Sequence, residues 1–549
     1  MKRLILGGTF CLLICIGVGI AFWQLNQKPI PGVRLAGEDA LVYVEVRDVP
    51  ATYQRWGDTS LARILAEPSV QRFVAHPTGK VLQDYKTTWE MLARLRPSSL
   101  FFYRTNGDRK NWMVGVRCSS DLRRWHNEVQ DLLQNSYGCH LLELPTDERT
   151  ENRGTGPIDQ SIQPAVFALR LGNWLLFGQS REMLYASAVR SRQGRAGLEK
   201  SDLFQKCLLK VPSASDFLTY FQGCVLSEPG LPWKAPADVH NIKAVIAATT
   251  FDGPRIRDTV FTCEKVPGTA ESLARRSLCL ASPGTLFYGA FQVNLLNLRN
   301  LAHTLADKWS IAETVQDYLD EATSAGFDLK ELSQLLESVE FVLDRDQAND
   351  VLNPFLTAKT RDPNRFREFA ERLMEIKFPG QWTRTEIEGV KAYILRANAA
   401  VAFVIGIYGQ QLFVATNAGA FAEALRRARA QDCPLERNEQ YRSAVALVSP
   451  PTDIFVYLDA KGTFERVYPI ARPIFVFGSA FIPTLTDYVD PRALPDPTEI
   501  ARHLSPIVFS RHRVENGVLD ESVGPVTAYQ ASIVALGACA MMGLFQEGE

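Results

Sequence analysis

The stretch GNWLLFGQSREMLYASAVRSR at 172–192 lies over GQQLFVATNAGAFAEALRRAR at 409–429 without a gap. Each copy reads as a short apolar strand, a polar cap (Ser180, Asn417), then a helix with apolar residues three and four apart. At the same offset Leu198 falls on Leu435, Phe204 on Tyr441, Asp216 on Asp453 and Tyr220 on Tyr457. Spacing kept over so long a run is hard to obtain from two independent strand–helix units. It marks a duplication, so whatever one half folds into, the other must fold into as well.

Upstream the match continues with small shifts. ALVYVEV (40–46) resembles TLFYGAF (285–291), each an alternating strand followed by a helical stretch. NWMVGVRCSSDLRRWHNEVQDLL (111–133) resembles NPFLTAKTRDPNRFREFAERLM (353–374), with apolar stripes Leu122, Trp125, Val129, Leu132 and Phe366, Phe369, Leu373. FDG (251–253) and ENG (515–517) each sit between alternating runs, a hairpin signal. Strands joined by hairpins, with helices between strand pairs, predict an α+β fold of mostly antiparallel sheets covered by helices. The boundaries read as a 1–34 signal anchor and linker, related repeats at 35–280 and 281–525, and an apolar tail at 526–549. The polar stretch 147–163 has only a short counterpart in the second half and reads as an exposed loop.

Lys2 and Arg3 precede an uncharged run from Leu4 to Trp23. As a helix it would span roughly 30 Å, the thickness of a bilayer core. No A-x-A-like cleavage site follows, which favours an uncleaved transmembrane helix. The leading positive charges place the N-terminus in the cytoplasm and the bulk outside, hence a single-pass cell-membrane protein with an extracytoplasmic, periplasmic body. With 60 basic and 61 acidic residues, the chain has no electrostatic footprint for nucleic acid. Of ten cysteines, Cys11 and Cys15 lie in the anchor and none is spaced C-x-x-C. An oxidising compartment permits one or two bridges in the first half, with connectivity open.

The repeats differ most at 466–499. Six prolines there argue against a long helix, while PIFVFGSAFIP (473–483) is aromatic and uncharged. Its residues Ile474, Phe475, Val476, Phe477, Phe481 and Ile482 are either buried against the second repeat or form an apolar strip for a partner or a membrane surface. The tail AYQASIVALGACAMMGLF (528–545) fits a packed terminal helix or a second span.

Chemistry is hard to find. The seven histidines include no H-x-H or H-E-x-x-H pair, and adjacent Cys139 and His140 would point apart on a strand. Nucleophile elbows, S-x-x-K pairs and phosphate-cradling glycine loops are missing. No metal, cofactor or catalytic set is assigned. Asp520 and Glu521, near His503 and His512 in sequence, read as solvated hairpin charges. Asp216 and Asp453, present in both repeats after proline-containing turns, read as structural turn or cap residues.

In LVYVEVRDVPATYQRWGDTSLARILAEPSVQRF (41–73), an apolar strand and a D-x-P step (Asp48, Pro50) lead into Ser60, Leu61, Leu65, Pro68, Val70 and Phe73. The closing 494–525 segment carries Leu504, Gly517, Ser522, Gly524 and Pro525. This set resembles an uncharacterised family of membrane-anchored bacterial envelope proteins, a domain of unknown function. The resemblance implies an anchored extracytoplasmic protein but no activity and no functional residues. Ser60 reads as a helix cap, Leu61 and Leu65 as a buried face, Pro68 as a break. The expectation is a non-enzymatic binding or scaffolding protein of the cell envelope, its partners being the membrane through its anchor and another envelope protein. The alternative is an extracytoplasmic hydrolase whose carboxylates lack a local motif.

Overall fold

The computed structural model describes residues 30–530, leaving out 75–96, 293–333 and several shorter stretches, among them 145–164, 228–240 and 482–492. The predicted anchor run, the 147–163 loop and the tail beyond residue 530 therefore lie outside the described residues. Among the described residues no helix is long and apolar enough to cross a membrane. The chain is α+β, its strands pairing almost entirely antiparallel. By its internal contacts it divides into two compact units, 1–47 with 91–204 and 48–90 with 205–549.

The first unit holds β1 (Ala40–Val46), β2 (Ser99–Thr105), β3 (Trp112–Arg117), β4 (His140–Leu144), β5 (Ala165–Leu171) and β6 (Trp174–Gly178). They lie in the order β1-β2-β3-β6-β5-β4, with only β4 parallel to its neighbour. Alternation along β2 puts Phe101 and Tyr103 inside. The Phe101 ring lies across Gly115 of β3, where a Cβ would come within 2.1 Å of it. That glycine is a packing requirement. Phe101 then meets Trp174 edge-on at 5.1 Å and stacks on Tyr43 at 6.1 Å.

The helix Arg181–Gln193 begins where Ser180 accepts the Met183 N–H, the predicted cap. From its last turn Arg190 donates to the Leu35 carbonyl at 2.8 Å, to Tyr103 at 3.0 Å and to Ser187 at 2.7 Å. Leu35 ends the short helix Gly32–Leu35, so the guanidinium satisfies one of the carbonyls that a helix end leaves open.

The second unit holds β7 (Phe217–Gln222), β8 (Ile242–Asp252), β9 (Arg255–Glu264), β10 (Phe287–Gln292), β11 (Leu336–Asp346), β12 (Val351–Thr360), β13 (Trp382–Ile387), β14 (Val390–Arg396), β15 (Ala402–Tyr408), β16 (Gln411–Ala415), β17 (Ile454–Leu458), β18 (Ile507–Val514) and β19 (Gly517–Gly524). Their order is β7-β8-β9-β19-β18-β17-β10-β11-β12-β16-β15-β14-β13, antiparallel throughout. The hairpins reverse through Gly253–Pro254 and Glu515–Asn516, with Gly253 (φ 56°) and Asn516 (φ 67°) left-handed; Asp252 and Gly517 are paired within the strands, so the turns stand at FDG and ENG but are not the type I′ DG and NG pairs expected. β9 pairs with β19 from Gly517 opposite Cys263 to Gly524 opposite Ile256. A Cβ on Gly517 would meet the Thr262 carbonyl at 2.0 Å, so the close approach depends on glycine.

Asn417 caps the helix Ala418–Ala430 through the Ala420 N–H at 2.7 Å, as its spacing predicts. Arg427 of that helix donates to the Leu280 carbonyl at 2.6 Å and faces Asp344 at 3.5 Å. Leu280 ends the short helix Arg276–Leu280, and Cys279 of that helix is disulfide-bonded to Cys433. Bridges were expected in the first half; its described cysteines, Cys118, Cys207, Cys224 and Cys263, are free thiols.

Three local readings need correction. Helix Ser60–Ala66 is capped by Thr59, whose hydroxyl accepts the Ala62 N–H, rather than by Ser60. Leu65 is 45% exposed and does not belong to a buried face. The prolines of 466–499 do not forbid a long helix: one runs Ala460–Phe481 with Pro469 and Pro473 inside it. Both prolines stand on its exposed side, where carbonyls left without a donor are hydrated. Asp459 starts that helix by accepting the Gly462 N–H at 3.1 Å. Of the predicted stripes, Val129, Phe366 and Phe369 are buried; Leu122, Trp125 and Leu132 lie outside the described residues.

The Arg190 and Arg427 bonds all run through Nη2, and lysine keeps the charge but replaces that terminal nitrogen with an ammonium on a shorter stem. Arg190→Lys and Arg427→Lys are each expected to cost about 1–2 kcal/mol in denaturant unfolding. Changes below about 0.5 kcal/mol would show that neither contact matters.

Candidate functional site

Two regions of the second unit draw together residues that are distant in sequence. The first joins the two ends of the family-like pattern. Asp48 caps helix Val49–Asp58 through the Ala51 N–H, and that helix carries Arg55 to Asp216. Arg55 places Nε and Nη2 on one Asp216 oxygen at 2.8 and 2.6 Å, while the other oxygen accepts the Phe251 N–H at 2.7 Å. The chain then turns through Thr59 and reaches Glu67, which accepts from Arg502 at 2.5 Å and meets His503 Nε2 at 2.7 Å. The neighbouring Ser69 hydroxyl donates to Glu499. Glu67 is held below the usual carboxylate range, first by the Arg502 bond and then by His503. This is an ionic junction at the surface, worth little in stability but specific in position.

Asp216 and Asp453 take matching places. Each precedes its strand, and their N–H groups donate to Thr249 and Arg511 at 2.8 and 3.1 Å. Asp453 completes its set with Arg513, 3.0 Å away. Both are structural, as the turn reading requires.

The second region is the β9–β19 seam. Asp258 of β9 and Asp520 of β19 point to the same face, because register places Asp258 opposite Ser522 and Asp520 opposite Val260. Asp520 is 2% exposed and Asp258 6%. The reading of Asp520 as a solvated charge is therefore corrected: it is buried, taking both Arg511 nitrogens at 2.7 Å and the Tyr529 hydroxyl. Glu521 faces the other way and accepts the Ser449 N–H at 2.7 Å. Strand alternation thus keeps Asp520 and Glu521 on opposite faces, and the two cannot act as an acid/base pair.

Among the described residues no cation pairs with Asp258. Thr249 donates to it at 2.6 Å, and so does Thr527. Burial pushes its carboxyl above the ordinary range, against the two hydroxyl bonds. Thr527 also forms a reciprocal capping box with Gln530, and Ala528 N–H donates to Ser522 at 2.8 Å. The seam thus fixes where the C-terminal tail begins. Nothing in the sequence singled out Asp258: laying FDG over ENG places it over Ser522, and only the register, with Thr249 opposite Asp258 and Arg511 opposite Asp520, matches the two aspartates.

The predicted apolar strip lies on and just beyond helix Ala460–Phe481. Val476 and Phe477 are 42% and 72% exposed; Ile474, Phe475 and Phe481 belong to the same helix, and Ile482 lies outside the described residues. Sequence inspection missed Val467 and Ile470, two turns and one turn before Ile474, 52% and 62% exposed. Val467, Ile470, Ala471, Ile474, Phe477 and Phe481 recur at helical spacing, a stripe that only a helical reading reveals. Among the described residues no three His, Cys, Asp or Glu side chains converge as a metal site.

No protein-family model matches the chain, and no curated protein does. Among solved structures, crystal forms III, I and IV of TP0453 align at TM-score 0.23 with 13%, 13% and 14% identity. They cover 46% of this chain and 80%, 77% and 81% of theirs. A likeness at that score carries no argument about fold or function.

The two seam aspartates should respond oppositely to neutralisation. A carboxyl raised in the folded chain keeps its proton where the unfolded chain has released it, so stability falls as pH rises across that interval. Asp258→Asn should abolish this slope and leave stability at neutral pH unchanged or higher. Asp520→Asn removes the counter-charge of Arg511 and should cost about 2–3 kcal/mol. Guanidinium unfolding from mildly acidic to neutral pH reads both; equal losses would refute the distinction.

Proposed function

We propose that this protein is a membrane-anchored, extracytoplasmic component of the cell envelope that binds or scaffolds another envelope protein without catalysis. In this reading the 1–34 segment is a single-pass anchor, and it displays two related α+β repeats at 35–280 and 281–525. The repeat reading is supported by paired detail: Arg190 and Arg427, superposed in the sequence match, each donate to the carbonyl ending a short helix. Tyr43, Tyr220, Tyr288 and Tyr457 are all fully buried, one on each of the strands that the match aligns. The anchor reading rests on the Leu4–Trp23 run and its flanking charges.

The observation that carries binding is the exposed apolar side of helix Ala460–Phe481. Val467, Ile470 and Phe477 spend a large aliphatic and aromatic surface on solvent in a helix whose first turn is firmly capped. Isolated exposed apolar residues are ordinary, whereas a contiguous stripe marks a contact surface. The segment 466–486 contains no Asp or Glu, and low charge is typical of the centre of an interface.

A photo-crosslinking residue placed at position 477 or 470 of the full-length protein in cells should trap one partner of constant mass. Ile470→Ser with Phe477→Ser should abolish capture while changing unfolding free energy by less than about 0.5 kcal/mol. Capture that is absent or unselective at both positions, with the protein correctly inserted, would overturn the reading. An alkaline phosphatase fusion after residue 35 tests the topology separately and is expected to be active.

A further inference from the structure

The sheet of the second unit ends at β13, which among the described residues pairs only with β14. The two strands are joined by the loop Glu388–Gly389, both residues left-handed (φ 52° and 69°), as a type I′ turn requires. Such a turn makes Ile387 and Val390 a hydrogen-bonded pair, and the ladder then alternates, so Thr385 and Thr383 also bond to β14. The Arg396 N–H, donating to the Gln381 carbonyl at 3.0 Å, keeps the same phase at the far end. The backbone groups of Trp382, Arg384 and Glu386 therefore point away from β14, along an open edge.

Edges are commonly defended by prolines, bulges or lysines. β13 has none of these: its register with β14 is unbroken, and its exposed residues Thr383, Arg384, Thr385 and Glu386 carry one charge of each sign. Arg384 and Glu386 stand on the same face, two residues apart. The guanidinium is held there, 3.4 Å from Glu371 and 5.4 Å from the centre of the Trp382 ring.

We propose that β13 is a self-association edge, along which two copies of this chain join their sheets antiparallel about a two-fold axis at Thr385. The charges select this register. Centred on Arg384, the pairing would set arginine against arginine; centred on Glu386, it would set glutamate against glutamate, and like charges directly opposite are destabilising. Centred on Thr383, it would leave Glu386 opposite Gly380, without a counter-charge. Centred on Thr385, Arg384 of each copy faces Glu386 of the other, and these are the residues whose backbone groups are turned outward to bond. A single strand pair is a small contact, and it forms a reversible dimer rather than an obligate one. Helix Ala460–Phe481 takes no part in it, so the inference stands apart from the partner reading above.

Disulfide trapping tests this on the full chain in the cells that make it, with Cys224→Ser throughout to remove an exposed native thiol. Across the axis Thr385 and its copy form a non-hydrogen-bonded pair, with Cβ atoms about 4.5–5.5 Å apart. Thr385→Cys, oxidised with copper phenanthroline, should give a band of twice the chain mass that reduction removes. Thr383→Cys should not, because its two copies lie about four residues apart along the strands, roughly 13 Å. In the Thr385→Cys background, Arg384→Glu alone sets glutamates opposite one another and Glu386→Arg alone sets arginines; each should lower trapping about tenfold. Coexpressing these two variants, one lengthened by a tag, should restore trapping as a heterodimer, since every charge then faces its opposite. That rescue requires both chains to be folded, which separates lost association from lost folding. Monomer alone in the Thr385→Cys sample, equal trapping at position 383, or a bridge to a protein of another mass would each overturn the proposal. So would charge reversals without effect, or a mixture that fails to restore trapping.

Discussion

A sheet that ends in a hairpin leaves a row of unpaired N–H and C=O groups along its last strand. In this chain the hairpin closing the first half ends in β9 and the hairpin closing the second ends in β19, and each strand answers the other's open edge. Much else follows from that pairing. It requires glycine at 517, because Thr262 leaves no room for a side chain. It brings two aspartates from matched hairpin positions onto one face, and it creates the floor on which residues 527–529 rest.

The two aspartates show how two hairpins of matching register can differ in chemistry without differing in shape. Position for position, Arg511 stands where the first hairpin has Thr249, and each side chain bonds the aspartate opposite it. With arginine, burial of the carboxylate is compensated by charge; with threonine, it is compensated only by hydrogen bonds, and the proton is held more tightly. The arginines at 190 and 427 show the reverse tendency. Their helix-end carbonyls are the same, while the surrounding acceptors have changed from Tyr103 to Asp344.

Strand alternation, the positions of the two hairpins and the caps at Ser180 and Asn417 were legible because each is written within a few consecutive residues. Features lost to inspection depend on which side chains the fold brings together, near or far along the chain. Nothing near Asp520 announces that Tyr529 and Arg511 enclose it, and nothing near Glu67 announces Arg502 and His503. The helix through Pro469 and Pro473 was misjudged for a different reason. A proline's cost depends on whether its orphaned carbonyl meets water or protein, and that information is absent from the sequence. The apolar strip was noticed as composition, but its helical continuation through Val467 and Ile470 was hidden by that same misjudgement.

The β9–β19 pairing also sets a timetable. Residues 255–264 are synthesised long before residues 517–524, with roughly 250 residues between them. At about 5–20 residues per second the interval lasts on the order of 10 to 50 seconds. Throughout it, β8 is available to pair with one side of β9, while the partner of its other side has yet to be made. Its most available substitute partner is β9 of another molecule at the same stage, since two antiparallel copies of one edge would meet much as β9 meets β19. Fast elongation and dilute nascent chains favour the monomer; crowded polysomes favour an exchange that the completed protein no longer permits.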